Sequence, residues 1–367
     1  MITAPADAVA AARASEALGW RAALGSHGPN RLVSPSSLAM SLAVAAEGAR
    51  GASRESVDAA LGLGGAHRAA AFGALREALR RYESSPETLD PDDPPADPVV
   101  HQATRIATLE HPILPAFLDR VVTYPGSSVV QLDRGGAEAD LSAWVHRVTA
   151  GLIESSSVRL SPDDALVMQD AVLFGALWER PFRGGPRPLV FRAPGGRRHL
   201  EGIGQTMPVA HAAAAGWEAV RLRYDDALAA DVIVPTRDIH ALGPAELWEA
   251  GRALDASAPE MVDLTMPTLK LTARTDLLAA LPGVDLSDLS GIFSGARATG
   301  WTQQARLNVG ARGTVGAAVT EMVVSRAAFR PPPARTFVVD RPYVLRVLDT
   351  RTGWAVFLAV VTDPSLG

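Results

Sequence analysis

Residues 310–336, GARGTVGAAVTEMVVSRAAFRPPPART, fit neither a core element nor an ordinary solvent loop. The stretch opens with small residues, becomes β-prone and ends in three prolines. Its bland reading is a poorly packed connector, yet exposed loops are seldom so apolar. Period two organises it better. Thr314, Gly316, Ala318, Thr320, Met322 and Val324 share one side and carry no charge. Val315, Ala317, Val319, Glu321, Val323 and Ser325 share the other, which holds the single charge. That is the pattern of a strand with one buried face and one tolerant face. The flanks, a strand before and a proline tract after, belong to an exposed loop. A segment that is a loop in one state and a central strand in another would have this composition.

The remainder reads as helices first and strands later. Residues 5–24 have helical spacing and end in Gly25. In NRLVSPSSLAMSLAVAAEGARG (30–51) a short strand feeds a buried helix through Ser34-Pro35. A helix is expected from Ser53, and an acidic, proline-rich loop over 83–98. A strand (99–108), a helix (112–123), a strand near 128–132 and a long amphipathic helix from 137 follow. Residues 164–178 are too continuously apolar for a surface strand and read as a central one. Strands on either side of Gly195-Gly196, at 217–224, 229–234 and 262–272, a helix at 274–281, and strands at 299–309, 336–348 and 353–362 complete the reading. Without regular βαβ alternation the class is α+β.

Composition excludes more than it selects. The 367 residues, 47% hydrophobic, suffice for one large core or two ordinary domains. A net charge of −5 argues against nucleic acid or anionic membrane as a partner. Cysteine is absent, so there is no disulfide or thiolate nucleophile. Lys270 is the only lysine, which reads as coding bias. The eight histidines form no HExxH or HxH pattern, and GxSxG, SxxK and P-loop motifs are missing. No cofactor, metal or catalytic residue is expected, and the chain does not read as an enzyme. Asp7, Arg13 and Glu16 interrupt any apolar leader, and no uncharged apolar run of about 20 residues occurs. A cytoplasmic location is expected for the sequence as it stands, an extracellular one if a leader was removed.

Six stretches, in order, resemble the serpin family. NRLVSPSSLAMSLAVAAEGARG resembles its "N-hydrophobic-SPxS" strand and helix. LSAWVHRVTAGLI (141–153) is similar to its "W/Y-V-xxx-T-x-G-x-I" helix. QDAVLFGALWERPF (169–182) resembles "VNAxYFKGxWxxPF", with Trp178 and Phe182 in register. MPTLKLTARTDL (266–277) and FVVDRPYVLRVLDTRTGWAVFLAVVTDP resemble the family's later strands. Gly313, Thr314, Val315, Gly316, Ala317, Ala318, Val319 and Thr320 hold the places of its hinge, within a reactive-centre loop of about 311–333. The family's hinge glutamate is replaced by Val315 and the acid before it by Ala311. Its buried Asn–His pair becomes Asp170 and Gln303, and the Gln303 amide and the hydroxyls of Ser34 and Ser37 can donate to the aspartate. With Trp178 these residues form the expected sheet-opening region.

The resemblance implies a single serpin domain over 1–367, with three β-sheets, eight or nine helices and an exposed reactive-centre loop. It implies a monomer, of bacterial type, that traps a serine protease as an acyl-enzyme by inserting its cleaved loop into the main sheet. Family spacing places the reactive bond at Ala327–Ala328, suited to elastase-like or subtilisin-like enzymes. Arg326–Ala327, suited to trypsin-like enzymes, stays open. A non-inhibitory serpin, acting as a carrier or chaperone, is the alternative. No heparin partner is expected, because the loop 83–98 is acidic. Thr314 is expected near solvent until it inserts, and Gly313→Ala is expected to be milder than Thr314→Arg.

Overall fold

The structure is a computed structural model and describes residues 5–86, 93–315 and 334–366. The N-terminal half supplies helices α1 (Ala6–Gly25), α2 (Pro35–Gly48), α3 (Gly51–Leu61), α4 (Gly65–Leu79), α5 (Pro115–Val121) and α6 (Ala137–Val148). Between them run strands β1 (Asn30–Val33), β2 (Val99–Leu109) and β3 (Ser127–Leu132). Strands β4 (Leu166–Leu177), β5 (Pro186–Ala193), β6 (Gly196–Ala214), β7 (Trp217–Arg223) and β8 (Leu228–Pro235) precede α7 (Pro244–Ala256). Then come β9 (Glu260–Pro267), β10 (Leu269–Asp276), α8 (Leu277–Ala280), β11 (Gly300–Val309) and β12 (Gly313–Val315). The chain closes with β13 (Arg335–Val338), β14 (Tyr343–Asp349) and β15 (Trp354–Val361).

Helix α2 is buried along its whole length, and Pro35 opens it while Ser34 caps it, the Ser34 hydroxyl accepting from the Ser37 amide at 3.3 Å. Small residues let α1 approach it closely. A Cβ on Gly19 would stand 2.5 Å from Pro35 Cγ, so the helices meet only because position 19 has no side chain. On one side of α2 lies the six-stranded sheet, ordered β10-β11-β12-β4-β2-β3. On the other lies a sheet ordered β1-β15-β14-β8-β7-β6. The long β6 continues into a third sheet, where its first half pairs with β5 and β9, and β9 with β13. Eight helices among the described residues and three sheets match the α+β expectation.

Several elements differ from the sequence reading. Helix α3 starts at Gly51, and the Ser53 hydroxyl is drawn instead to Asp285 (2.9 Å) and the Asp288 amide (3.0 Å). The expected strand 262–272 breaks at Pro267, so that β9 joins the third sheet while β10 edges the six-stranded one. Strand 336–348 breaks at 339–342 into β13 and β14. Helices α4 and α7 were not anticipated.

A buried ion ladder ties α1 and α7 to the second sheet. Glu16 meets Arg346 (2.7 Å), Arg346 meets Asp231 (2.7 Å), Asp231 meets Arg221 (2.6 Å), and Arg221 reaches Asp255 on α7. Each arginine has a carboxylate on both sides, as burial of its charge requires.

Candidate functional site

Strands β4 and β11 run parallel and pair directly only over 167–170 and 300–303. Further along, β12 separates them, with Thr314 opposite Ala176 on β4 and Val309 on β11. In the stretch between, 171–174 faces 304–307, and no strand among the described residues pairs with either inner edge. Among the described residues, the three-residue β12 is the strand that stands between β4 and β11.

Gly313 enters this slot under a steric condition. A Cβ there would stand 2.2 Å from the Ala176 carbonyl oxygen and 2.8 Å from Leu177 Cα. Gly313→Ala is therefore expected to disturb the native fold itself, which the sequence reading did not foresee. Thr314 is fully buried, also against expectation, and its hydroxyl lies 2.6 Å from the Tyr224 hydroxyl. Tyr224 stacks on Trp178 with centroids 4.4 Å apart and meets Phe174 edge-on at 5.1 Å. Trp178 also donates its indole N–H to the Gly310 carbonyl (2.9 Å), and its amide bonds Arg312 (2.8 Å). Burial pushes the Tyr224 hydroxyl far up, so it stays protonated and able to donate.

The expected sheet-opening region thus divides in two, with Trp178 at the hinge and Ser34, Ser37, Asp170 and Gln303 at the directly paired end. Asp170 and Gln303 face each other in register but do not bond side chain to side chain. Gln303 instead grips the start of α2, accepting from the Ser34 amide (2.7 Å) and donating to the Ser34 carbonyl (3.1 Å). Neither the Ser34 hydroxyl, which lies 3.3 Å from the Ser36 hydroxyl, nor the Ser37 hydroxyl is bonded to Asp170. Thr104, its partner on β2, donates at 3.0 Å. Burial pushes the Asp170 carboxyl up to about 7, against the neutral donors Ser41, Thr104 and Trp301, which pull it down. Thr104, Ser41, Trp301 and Tyr224 were missed in the sequence. Only register on neighbouring strands brings them together.

Gly316, Ala317, Ala318, Val319 and Thr320, and the reactive-bond candidates Arg326, Ala327 and Ala328, lie outside the described residues. Among the described residues, no group of three or more acidic or histidine side chains is placed to hold a metal ion, and no helix is long and apolar enough to cross a membrane.

The family model described as Serpin (serine protease inhibitor) matches residues 21–364. An uncharacterized serpin-like protein of Thermococcus kodakarensis is 25% identical over 63% of this chain, a match spanning 57% of that protein's length. The native-state structure of the thermophilic serpin tengpin has a TM-score of 0.80 at 18% identity, covering 96% of this chain and 94% of that one. Thyroxine-binding globulin in complex with thyroxine has a TM-score of 0.78 at 18% identity, covering 98% and 99%. At these identities the structures speak for fold alone, while the family model spans nearly the whole chain. By that match and by its sheet architecture, the chain belongs to the serpin family of serine protease inhibitors.

Proposed function

We propose that this serpin inhibits a serine protease by presenting its loop as substrate and, once cut, inserting it between β4 and β11. The observation that carries the reading is β12, already seated in that slot, with strand edges beyond it that are unpaired among the described residues. Carrying its register onward sets Gly316 against Phe174 and Leu307, and Ala318 against Val172 and Ala305. Thr320 then comes against Asp170 and Gln303, the first directly paired row, which has to part. Val324 reaches Leu166, where β4 begins, so Arg326 falls beyond the strand's end. Even-numbered β4 residues such as Met168, Phe174 and Ala176 belong to the main core. The uncharged side of the loop would join them, and about a dozen new ladder bonds at roughly 1 kcal/mol each give on the order of 10 kcal/mol.

The length supports cleavage at Ala327–Ala328, with Arg326–Ala327 the neighbouring choice. Incubation with elastase, subtilisin and trypsin, read on a denaturing gel, is expected to give a covalent complex with one of them. Mass spectrometry of the released peptide then fixes the bond. Ala318→Arg places a charge on the core-facing side, several rows into the slot, and is expected to convert the inhibitor into a substrate. Clean cleavage with free, active protease from the wild type would instead favour the non-inhibitory alternative, a carrier or chaperone.

A further inference from the structure

The six-stranded sheet and the second sheet meet at their edges, β10 and β1, and the turn 26–29 closes the gap between them into a cleft of about 240 Å³. Arg31, on β1, lines this cleft, and its Nε and Nη1 are cut off from water without a hydrogen-bond partner. Arg31 itself is half-buried, whereas the most deeply buried arginines of the protein are neutralised. Arg68 has Glu47 and Asp58, Arg221 has Asp231 and Asp255, and Arg346 has Glu16 and Asp231. Around Arg31 the lining adds further positive or protonatable groups, Arg274 of β10 and His27, and includes no aspartate or glutamate among the described residues. A guanidinium with two of its three nitrogens shielded from water and no counter-charge is costly, and an anion in the cleft would supply that charge.

The surroundings suit such a ligand. Both flanking strands are sheet edges, whose outer N–H groups are left unpaired by the sheet. A guanidinium is the group proteins favour for planar or tetrahedral oxyanions. The volume is below the roughly 300–1,000 Å³ of sites for drug-sized molecules, so the cleft fits a small anion or the anionic end of a larger one. We propose that this cleft is a binding site for an oxyanion (a phosphate, a sulfate or a carboxylate) held by Arg31 together with Arg274 and His27. The cleft lies one strand away from the loop slot, since Leu271–Thr275 of β10 pair with Gln303–Leu307 of β11, and the proposal does not depend on protease inhibition.

Thermal unfolding of the full chain in increasing sodium phosphate, sulfate or succinate, at ionic strength held constant with sodium chloride, tests it. At least one of the three is expected to raise the midpoint saturably. A response to phosphate or sulfate marks an ester-type ligand, and a response to succinate alone marks a carboxylate. Arg31→Met keeps the apolar stem and removes the unpartnered charge, so it is expected to fold at least as stably while its half-saturation shifts upward by about tenfold or more. Arg274→Gln, at an exposed position, is expected to weaken binding several-fold and carries the test alone if Arg31→Met does not fold. No saturable rise with any of the three anions, or an unchanged rise in both variants, overturns the proposal.

Discussion

Asp170 is an acid with only neutral hydrogen-bond donors around it, and its burial has a signed consequence for stability. Burial pushes its carboxyl up to about 7 in the folded protein, against about 4 in an unfolded chain. Below pH 4 both states hold the proton and the residue costs nothing. As pH rises from 4 to 7 the unfolded chain releases the proton first, so stability falls, by up to about 4 kcal/mol above pH 7. Asp170→Asn is expected to remove this slope, matching the wild type in acid and exceeding it in thermal midpoint at pH 8. Parallel melting curves across pH 4–8 would contradict the assignment. Asp170 and Gln303 were legible as paired positions in the sequence, but not their partners. Thr104 becomes visible only through the β2–β4 register, and Tyr224 only because the end of β7 passes beneath Thr314. The burial of Thr314 was hidden for the same reason, because period two gives a strand's faces but not how much of the strand is already seated.

At the scale of elements, the segment after α6 straps the face of β11 beside the slot. Gln304 accepts from the Ser157 amide (2.9 Å) and donates to the Ser155 carbonyl (3.2 Å), while Arg306 reaches the Leu152 carbonyl (3.4 Å). Gln304 and Arg306 stand on the part of β11 whose inner edge is unpaired among the described residues, so the strap would hold a strand that the proposed insertion has to displace. Gln304→Ala removes two bonds and is expected to lower the native thermal midpoint by roughly 2–4 °C and to speed complex formation. An unchanged midpoint together with an unchanged inhibition rate would show that the strap does not restrain the strand. Most elements could be read from spacing, yet α7 was passed over although Pro244 opens it and Glu246 reaches back to the Gly243 amide at 2.9 Å, a signal present in the sequence. The break between β9 and β10 was harder to read, because Pro267 ends one strand where the apolar alternation continues into a different sheet.

For the whole molecule, cutting the loop within 325–330 with a non-target protease is expected to raise the thermal midpoint by on the order of tens of degrees, since the missing strand is then supplied. An unshifted or lowered midpoint in the nicked protein would remove the basis for the proposed mechanism, because ordinary loop nicking does no better. The overall architecture was the most legible level, since its motifs lie in fixed order along the chain, whereas the Glu16–Arg346–Asp231–Arg221–Asp255 ladder joins residues from four distant segments and had no local signature. The three residues of β12 bear on timing. Starting a strand in a sheet means closing a loop before any row rewards it, an entropic barrier that later rows do not face. With Thr314 already seated between β4 and β11, that nucleation step lies behind the native protein. For an inhibitor acting by insertion, what remains is propagation, one row per residue, and the race against deacylation is then set by how fast the closed rows at 167–170 and 300–303 unzip.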